Sequence, residues 1–86
     1  MAAGQIGIIE SMENTELDHL RFVYKTAVEE WILAIREEED LATPDHSITA
    51  VEIWEKAGFK EEEARQRAKE ARRNYEEGLR RALFNF

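Results

Sequence analysis

Glu16 and His19 are the residues whose types and spacing come nearest to a known chemistry. On a helix, Glu-x-x-His puts both side chains on one face, and helical bundles with two metal ions combine this motif with single Glu residues from other helices. A dimer of helical hairpins would supply the motif twice. In the segment expected opposite, 67–71, only Glu70 could add a ligand. A carboxylate/His metal-binding bundle is therefore kept as an alternative, and no cofactor is predicted.

Asp45, His46 and Ser47 are the three residue types of a hydrolase triad. Neighbours in sequence cannot converge as the members of a triad must. Asp and Ser also favour the turn that starts a helix. Because the chain has no glycine-rich phosphate loop, no cysteine and no Gly-x-Ser-x-Gly motif, the sequence favours a protein that is not an enzyme.

Two acidic pairs, Glu13-x-x-Glu16 and Glu37-x-x-Asp40, resemble the paired carboxylate motifs of all-α nucleotide pyrophosphohydrolases. That resemblance implies one magnesium cluster held by both pairs. On a single helix, a separation of 24 residues places the pairs about 36 Å apart. They could meet only across an antiparallel dimer, and spacings of this kind arise easily in a chain with 19 acidic residues.

The composition describes one small, highly charged helical domain. The chain has 86 residues, 36% of them charged, with one proline and no cysteine. A disulfide framework and thiolate metal sites are therefore excluded. No run approaches the 18 apolar residues of a membrane span, and no Lys or Arg precedes the apolar run Ile6–Ile9 as it would in a secretory signal. These features predict a cytoplasmic protein without a membrane partner.

Charge divides the chain into an acidic first half and a basic tail. Residues 1–47 carry eleven acids and three bases, a net charge of −8, whereas residues 48–86 carry a net charge of +1. Antiparallel helices with complementary faces are the favoured interpretation. The alternative is nucleic-acid binding through the tail, which an overall charge of −7 disfavours. The arginines that would carry such binding are Arg72, Arg73, Arg80 and Arg81.

Apolar periodicity and turn residues predict four segments. They are an N-terminal arm over 1–13, a first helix over 14–40, a turn over 41–46 and a second helix over 47–84. Gly4 and Gly7 argue against helix in the arm. The first helix has a core-facing stripe at three- and four-residue spacing. Its members are Leu17, Leu20, Tyr24, Ala27, Val28, Trp31, Ala34 and Ile35.

The second helix can begin with Thr43 as its N-cap and Pro44 in its first turn, or with Ser47 as its N-cap. Gly58, followed by apolar Phe59, then favours either a helix end with its hydrophobic contact or a kink within one long helix. A repeat of small residues every seven positions passes through Gly58 without a change of register, which favours one helix. The repeat consists of Ala50, Ala57, Ala64, Ala71 and Gly78.

These elements predict an all-α hairpin of two antiparallel helices. Counting outward from the turn pairs Trp31 with residues 54–57, so that Trp54 is its core partner, and pairs Leu17 with residues 67–71. Residues 74–86 then extend past the first helix. Either the arm, at Ile6–Met12, or a second chain must cover them, and pairing into a four-helix bundle is the usual solution.

Phe22 and Leu33 lie on the face of the first helix opposite the core stripe, which indicates a second interface. The predicted function is accordingly a non-enzymatic, self-associating interaction or regulatory module, with a homodimer as the expected state and an unidentified protein as a possible further partner. The predicted contact residues are Phe22, Leu33, Tyr75, Leu79, Leu83, Phe84 and Phe86.

Overall fold

The structure is a computed structural model that describes the backbone of residues 2–84 and the side chains of residues 15–84. It contains two helices, α1 (Ala2–Leu41) and α2 (Ile48–Phe84), joined by residues 42–47. The helices pack along their lengths as an antiparallel pair, since Gly58 lies beside Glu38 and Gly78 lies beside Leu20. The predicted all-α hairpin is confirmed.

The first helix is longer than predicted. It begins at Ala2, so the segment expected to form a separate arm continues α1. Once a helix is nucleated, each further residue adds one backbone hydrogen bond. This propagation outweighs the cost of about 1 kcal/mol for each of Gly4 and Gly7. The expected packing of Ile6–Met12 concerns side chains that lie outside the described residues.

Hydrogen bonds in the turn identify the start of α2. The Ser47 hydroxyl accepts from the Ala50 amide at 3.2 Å, and the Ser47 carbonyl accepts from the Val51 amide at 3.0 Å. Ser47 is therefore the N-cap, and of the two predicted starts the one at Ser47 is right. Asp45 supports the cap, because its carboxylate accepts from the Ser47 amide at 2.9 Å and from the Ser47 hydroxyl at 3.2 Å.

An alanine seam holds the two helices together. Every described residue that is buried is an alanine, and α2 runs through Gly58 as one helix, as the seven-residue repeat predicts. Tyr24, Val28 and Trp31 flank the seam where Ala27 meets α2. Small side chains allow close helix packing, but they bury little apolar surface. The buried residues are Ala27, Ala57, Ala64, Ala68 and Ala71.

The register of the hairpin differs from the prediction. The Trp31 indole donates to Glu61 Oε1 at 2.6 Å, four residues or more beyond the predicted 54–57. Leu17 lies beside Gly78 rather than beside 67–71. Counting outward from the turn assumes that the last residue of α1 lies opposite the first residue of α2. In the structure, the first two turns of α2 instead extend beyond the end of α1. Trp54 is consequently exposed in a shallow groove with Leu41, so its assignment as the core partner of Trp31 was wrong.

Because of the same shift in register, α1 lies beside most of residues 74–86, which were predicted to extend past it. Tyr75 stacks on Tyr24 with ring centroids 6.2 Å apart, and Leu79 is half-buried. The expectation that the whole of 74–86 lies beyond the first helix is therefore wrong. Leu83 and Phe84 remain exposed, and Phe86 lies outside the described residues.

Candidate interaction surface

The predicted metal ligands do not come together with a third ligand. Glu16 and His19 are both exposed, and among residues 15–84 no three His, Cys, Asp or Glu side chains are grouped so that they could hold a metal ion. Glu16 lines a groove beside Gly78 and Arg81. Glu70, the expected third ligand, lines a different groove beside Phe22, because the register differs from the one assumed.

The two other chemical patterns have structural explanations within the described residues. Asp45 and Ser47 form the capping turn, and both are exposed with His46. Glu37 and Asp40 lie in the last turns of the continuous helix α1. Glu37 faces Lys60 of α2, with its carboxylate 4.0 Å from the Lys60 amine. The side chain of Glu13, from the first acidic pair, precedes the described side chains.

The basic tail is partly neutralised by its own acids. The Arg72 side chain donates to Glu76 at 2.9 Å, and Arg81 lies 3.8 Å from Glu77. Both pairs are exposed and lie along one helix, where such ion pairs contribute little stability. Pairing of this kind lowers the positive charge available to a phosphate backbone. Within the described part of the chain, neither helix is long and apolar enough to cross a membrane.

Four of the predicted contact residues are exposed to solvent. Phe22 is 67% exposed and Leu33 is 63% exposed, and Leu83 and Phe84 are exposed to a similar degree. Tyr75 and Leu79 are half-buried within the hairpin. Phe86 lies outside the described residues. The Phe22 and Leu33 side chains thus stand on the surface of the hairpin, as their position opposite the core stripe predicts.

Sequence analysis missed two of the most exposed apolar side chains, Ile48 and Phe59, which are 79% and 71% exposed. Phe59 was considered only as the hydrophobic contact of a helix that ends at Gly58, which is the less favoured of the two alternatives for that position. Spacing could have identified both residues, since they are eleven positions apart. Eleven residues correspond to about three helical turns, so the two side chains point in nearly the same direction from α2. Phe22 and Leu33 are also eleven positions apart.

The apolar lines of α1 and α2 point away from each other. Each member is nine residues, or two and a half turns, from a residue in or beside the alanine seam of its own helix, as Phe22 is from Trp31 and Phe59 is from Ala68. Glu70 follows Phe59 by another eleven residues, so it continues the line of Phe59. Glu70 also lines the groove between the helices together with Phe22 and Thr26. Phe84 joins the same line, because it follows Phe59 by 25 residues, about seven turns. We call the line of Phe22 and Leu33 on α1 the apolar face. Ile48, Phe59 and Phe84 form the exposed line of α2, on the opposite edge of the hairpin.

Charged pairs run between the two apolar lines, along the junction of the helices. Arg67 lies 3.9 Å from Glu30 and Lys60 lies 4.0 Å from Glu37. Glu30 and Arg67 both line the groove beside Phe22. These ion pairs therefore separate the apolar line of α1 from the apolar line of α2.

Leu83 belongs to neither apolar line. It follows Arg72 by eleven residues and Glu61 by twenty-two, so it continues the line of Glu61. Glu61 accepts the Trp31 indole hydrogen bond, which places this line on the other side of the alanine seam from Phe59. Ile32, immediately after Trp31, is the exposed apolar residue of α1 nearest to that side.

Comparison of the chain with protein-family models, with curated proteins and with solved structures finds no match.

Proposed function

We propose that the protein is a non-enzymatic interaction module whose hairpins self-associate, as a dimer that forms a four-helix bundle. The observation that carries the proposal is the exposure of large apolar side chains over a hairpin whose buried residues are alanines. Scattered apolar residues on a surface need no explanation. Here Phe22 and Leu33 instead fall in one line on the outer side of α1.

The thin alanine seam is the first energetic support. Burying a large apolar side chain contributes roughly 1.5–3 kcal/mol, and an alanine contributes much less. Among the described residues, no side chain larger than alanine is buried. Hairpins of this size rarely obtain enough stability from one such core, and association is a common remedy.

The surface area is the second support. The hairpin exposes 7156 Å², whereas a compact monomeric protein of 10.1 kDa exposes about 5,300 Å². The excess of roughly 1,900 Å² is comparable to the area that one subunit loses in an obligate dimer. A second copy packed on the hairpin would remove an area of this size.

The solution mass measured by light scattering on a sizing column, over a tenfold range of concentration, tests the proposal. We expect the mass of a dimer for the wild-type chain. Replacing Phe22 and Leu33 with Asp should give the mass of a monomer and retain most of the helical circular dichroism signal. A wild-type monomer at every concentration would contradict the proposal.

The matched control replaces Lys25 and Lys69 with Gln. Both lysines are exposed, and this pair of substitutions changes the net charge by −2, as Phe22→Asp with Leu33→Asp does. We expect the control to remain a dimer. If both double variants dissociate equally, the added negative charge rather than the apolar face controls association.

A further inference from the structure

We propose that the start of α2 is a docking site for a basic amphipathic helix of another protein. This proposal goes beyond self-association and does not depend on it. The site is an apolar patch at the turn end of the hairpin, formed by Ile48, Val51, Trp54 and Phe59, and we call it the turn-end patch. The partner helix has apolar side chains on one face and lysines or arginines beside them.

The turn-end patch concentrates exposed apolar side chains within twelve residues of α2. Ile48 and Phe59 are 79% and 71% exposed, and Val51 and Trp54 are 38% and 42% exposed. Ile48, Val51 and Trp54 follow one another at three-residue spacing, so neighbouring members lie side by side on the helix surface. Phe59 points in nearly the same direction as Ile48, about three turns further along. The four side chains therefore lie on one broad surface of α2.

The patch is uncovered because α1 ends at Leu41, before the start of α2. Trp54 lies seven residues before Glu61, on the side of α2 that faces Trp31 further along the hairpin. At the level of Trp54 only the turn lies opposite. Leu41, Trp54 and the turn line a groove of about 210 Å³. Small-molecule pockets have volumes of roughly 300–1,000 Å³, so this smaller groove suits a side chain of a protein partner.

The residues around the turn-end patch are mostly acidic. Within α2, the positions three or four residues from Ile48 or Phe59 contain four glutamates, one lysine and Val51. The charged residues are Glu52, Glu55, Lys56, Glu62 and Glu63, and all are exposed. Among the side chains that the structure describes, only Glu62 of the four glutamates forms an ion pair, with Arg65 at 3.6 Å. Unpaired carboxylates beside apolar side chains favour a basic partner.

The charge of the surrounding half of the hairpin favours the same partner. The Glu30–Arg67 pair lies near the middle of α2. On the turn side of this pair, residues 31–66 contain ten acids and four bases, a net charge of −6. A field of this sign attracts a positively charged partner and speeds its association. It repels nucleic acids and anionic lipid surfaces, so a basic protein segment is the occupant.

A second copy of this chain does not occupy the turn-end patch. The proposed dimer uses the apolar face of α1, with Phe22 and Leu33. The line of α2 that contains Ile48 and Phe59 points away from that face, and one partner copy cannot cover both. The patch therefore stays exposed in the dimer as well as in a single hairpin.

Calorimetric titration with two synthetic peptides of about 18 residues tests the proposal. Ile48 and Phe59 are about 16 Å apart along α2, so a helix of this length spans the patch. One peptide has leucines on one helical face and lysines on the other, and the second peptide replaces every lysine with glutamate. We expect the lysine peptide to bind at least about tenfold more tightly than the glutamate peptide, with an affinity that falls as salt is added.

An apolar substitution and its matched control locate the site. Phe59→Ala should weaken binding of the lysine peptide by about tenfold or more, as the loss of an aromatic anchor does. Leu83→Ala removes a side chain of nearly equal exposure, 70%, beside arginines at the other end of α2, and should change binding by less than about threefold. Both side chains are exposed, so the helical circular dichroism signal should be unchanged in both variants.

A pair of charge variants tests the glutamates. Glu52→Gln with Glu55→Gln should weaken binding of the lysine peptide by about tenfold and reduce its dependence on salt. Glu16→Gln with Glu70→Gln makes the same change of net charge at exposed positions outside the patch. This control should change binding by less than about threefold, because exposed charges farther away are largely screened.

Each result has a distinct meaning. Preference for the lysine peptide, with losses confined to the patch variants, supports the proposal. No binding of the lysine peptide, equal binding of both peptides, or equal losses for a patch variant and its control overturns it. A change from dimer to monomer on Phe59→Ala would show that a second copy covers the patch, which overturns the docking site and leaves self-association intact. A monomeric wild-type chain that still selects the lysine peptide through Phe59 would contradict the proposed function alone.

Discussion

Aromatic side chains stabilise the hairpin at the edges of its alanine seam. Tyr24 and Tyr75 stack across the two helices, and the Trp31 indole donates to the Glu61 carboxylate at 2.6 Å. Alanines bring the helices close together, and the aromatic groups supply apolar area that the alanines lack. The Trp31–Glu61 hydrogen bond also favours the observed register of the two helices, because a shift of α2 by one turn would break it.

The Trp31–Glu61 bond leads to a prediction for a single residue. Glu61→Ala should lower the free energy of unfolding by about 1 kcal/mol, because the half-buried indole loses its carboxylate acceptor. Glu61→Gln should lose less, since its amide oxygen can still accept the bond. Urea denaturation at a fixed protein concentration, followed by circular dichroism, measures both changes.

The control for this prediction is Glu63→Ala, which removes an exposed carboxylate from the same helix. Its effect should stay within about 0.5 kcal/mol, as is usual for surface positions. Equal losses for Glu61→Ala and Glu63→Ala would show that the indole hydrogen bond contributes no measurable stability. The same result would remove its role in setting the register.

The space around the two glycines of α2, Gly58 and Gly78, differs. A Cβ atom at Gly58 would lie 3.5 Å from Glu38 Oε1, which is an ordinary contact. A Cβ atom at Gly78 would lie 2.7 Å from a Leu20 methyl carbon and 3.2 Å from one of Leu17. Space for a side chain is therefore present at Gly58, near the turn, and absent at Gly78, near the other end of the hairpin.

This difference predicts opposite effects for the same substitution in α2. Gly58→Ala should raise the free energy of unfolding by about 0.5–1 kcal/mol, because alanine favours helix and fits without strain. Gly78→Ala should gain less or destabilise, since the leucine side chains must move. Urea denaturation of both variants tests this, and equal gains would contradict the close approach at Gly78.

Most of both helices was predictable because the signals are local, whereas the extension of α1 back to Ala2 was not, since Gly4 and Gly7 argue against helix there. The alanine repeat identifies the buried side of α2, and Ser47 is a strong N-cap. The register between the two helices is not a local property, because it depends on how far residues 42–47 displace α2 along the long axis of the hairpin. Because of that displacement, Trp31 and Leu17 have partners in α2 that differ from the predicted ones. The exposed apolar residues were partly predictable, since Phe22 and Leu33 were identified as contact residues, whereas Ile48 and Phe59 were not.

The whole molecule is an elongated plate rather than a compact domain. Its principal dimensions are 71 × 21 × 12 Å and its radius of gyration is 19.8 Å, compared with about 12 Å for a compact domain of 86 residues. A shape only two helices wide and one helix thick exposes both of its broad sides. This exposed area is what a second copy of the hairpin would cover.

Association of two such plates makes thermal stability depend on protein concentration. If the hairpin folds fully only as a dimer, a hundredfold increase in concentration stabilises the dimer by about 2.7 kcal/mol. This should raise the Tm by about 5–10 °C for a dimer of this size. The variant with Phe22→Asp and Leu33→Asp should melt at a lower temperature that does not change with concentration. Circular dichroism melts at several concentrations measure both effects, and a wild-type Tm independent of concentration would show that the alanine seam stabilises the monomeric hairpin by itself.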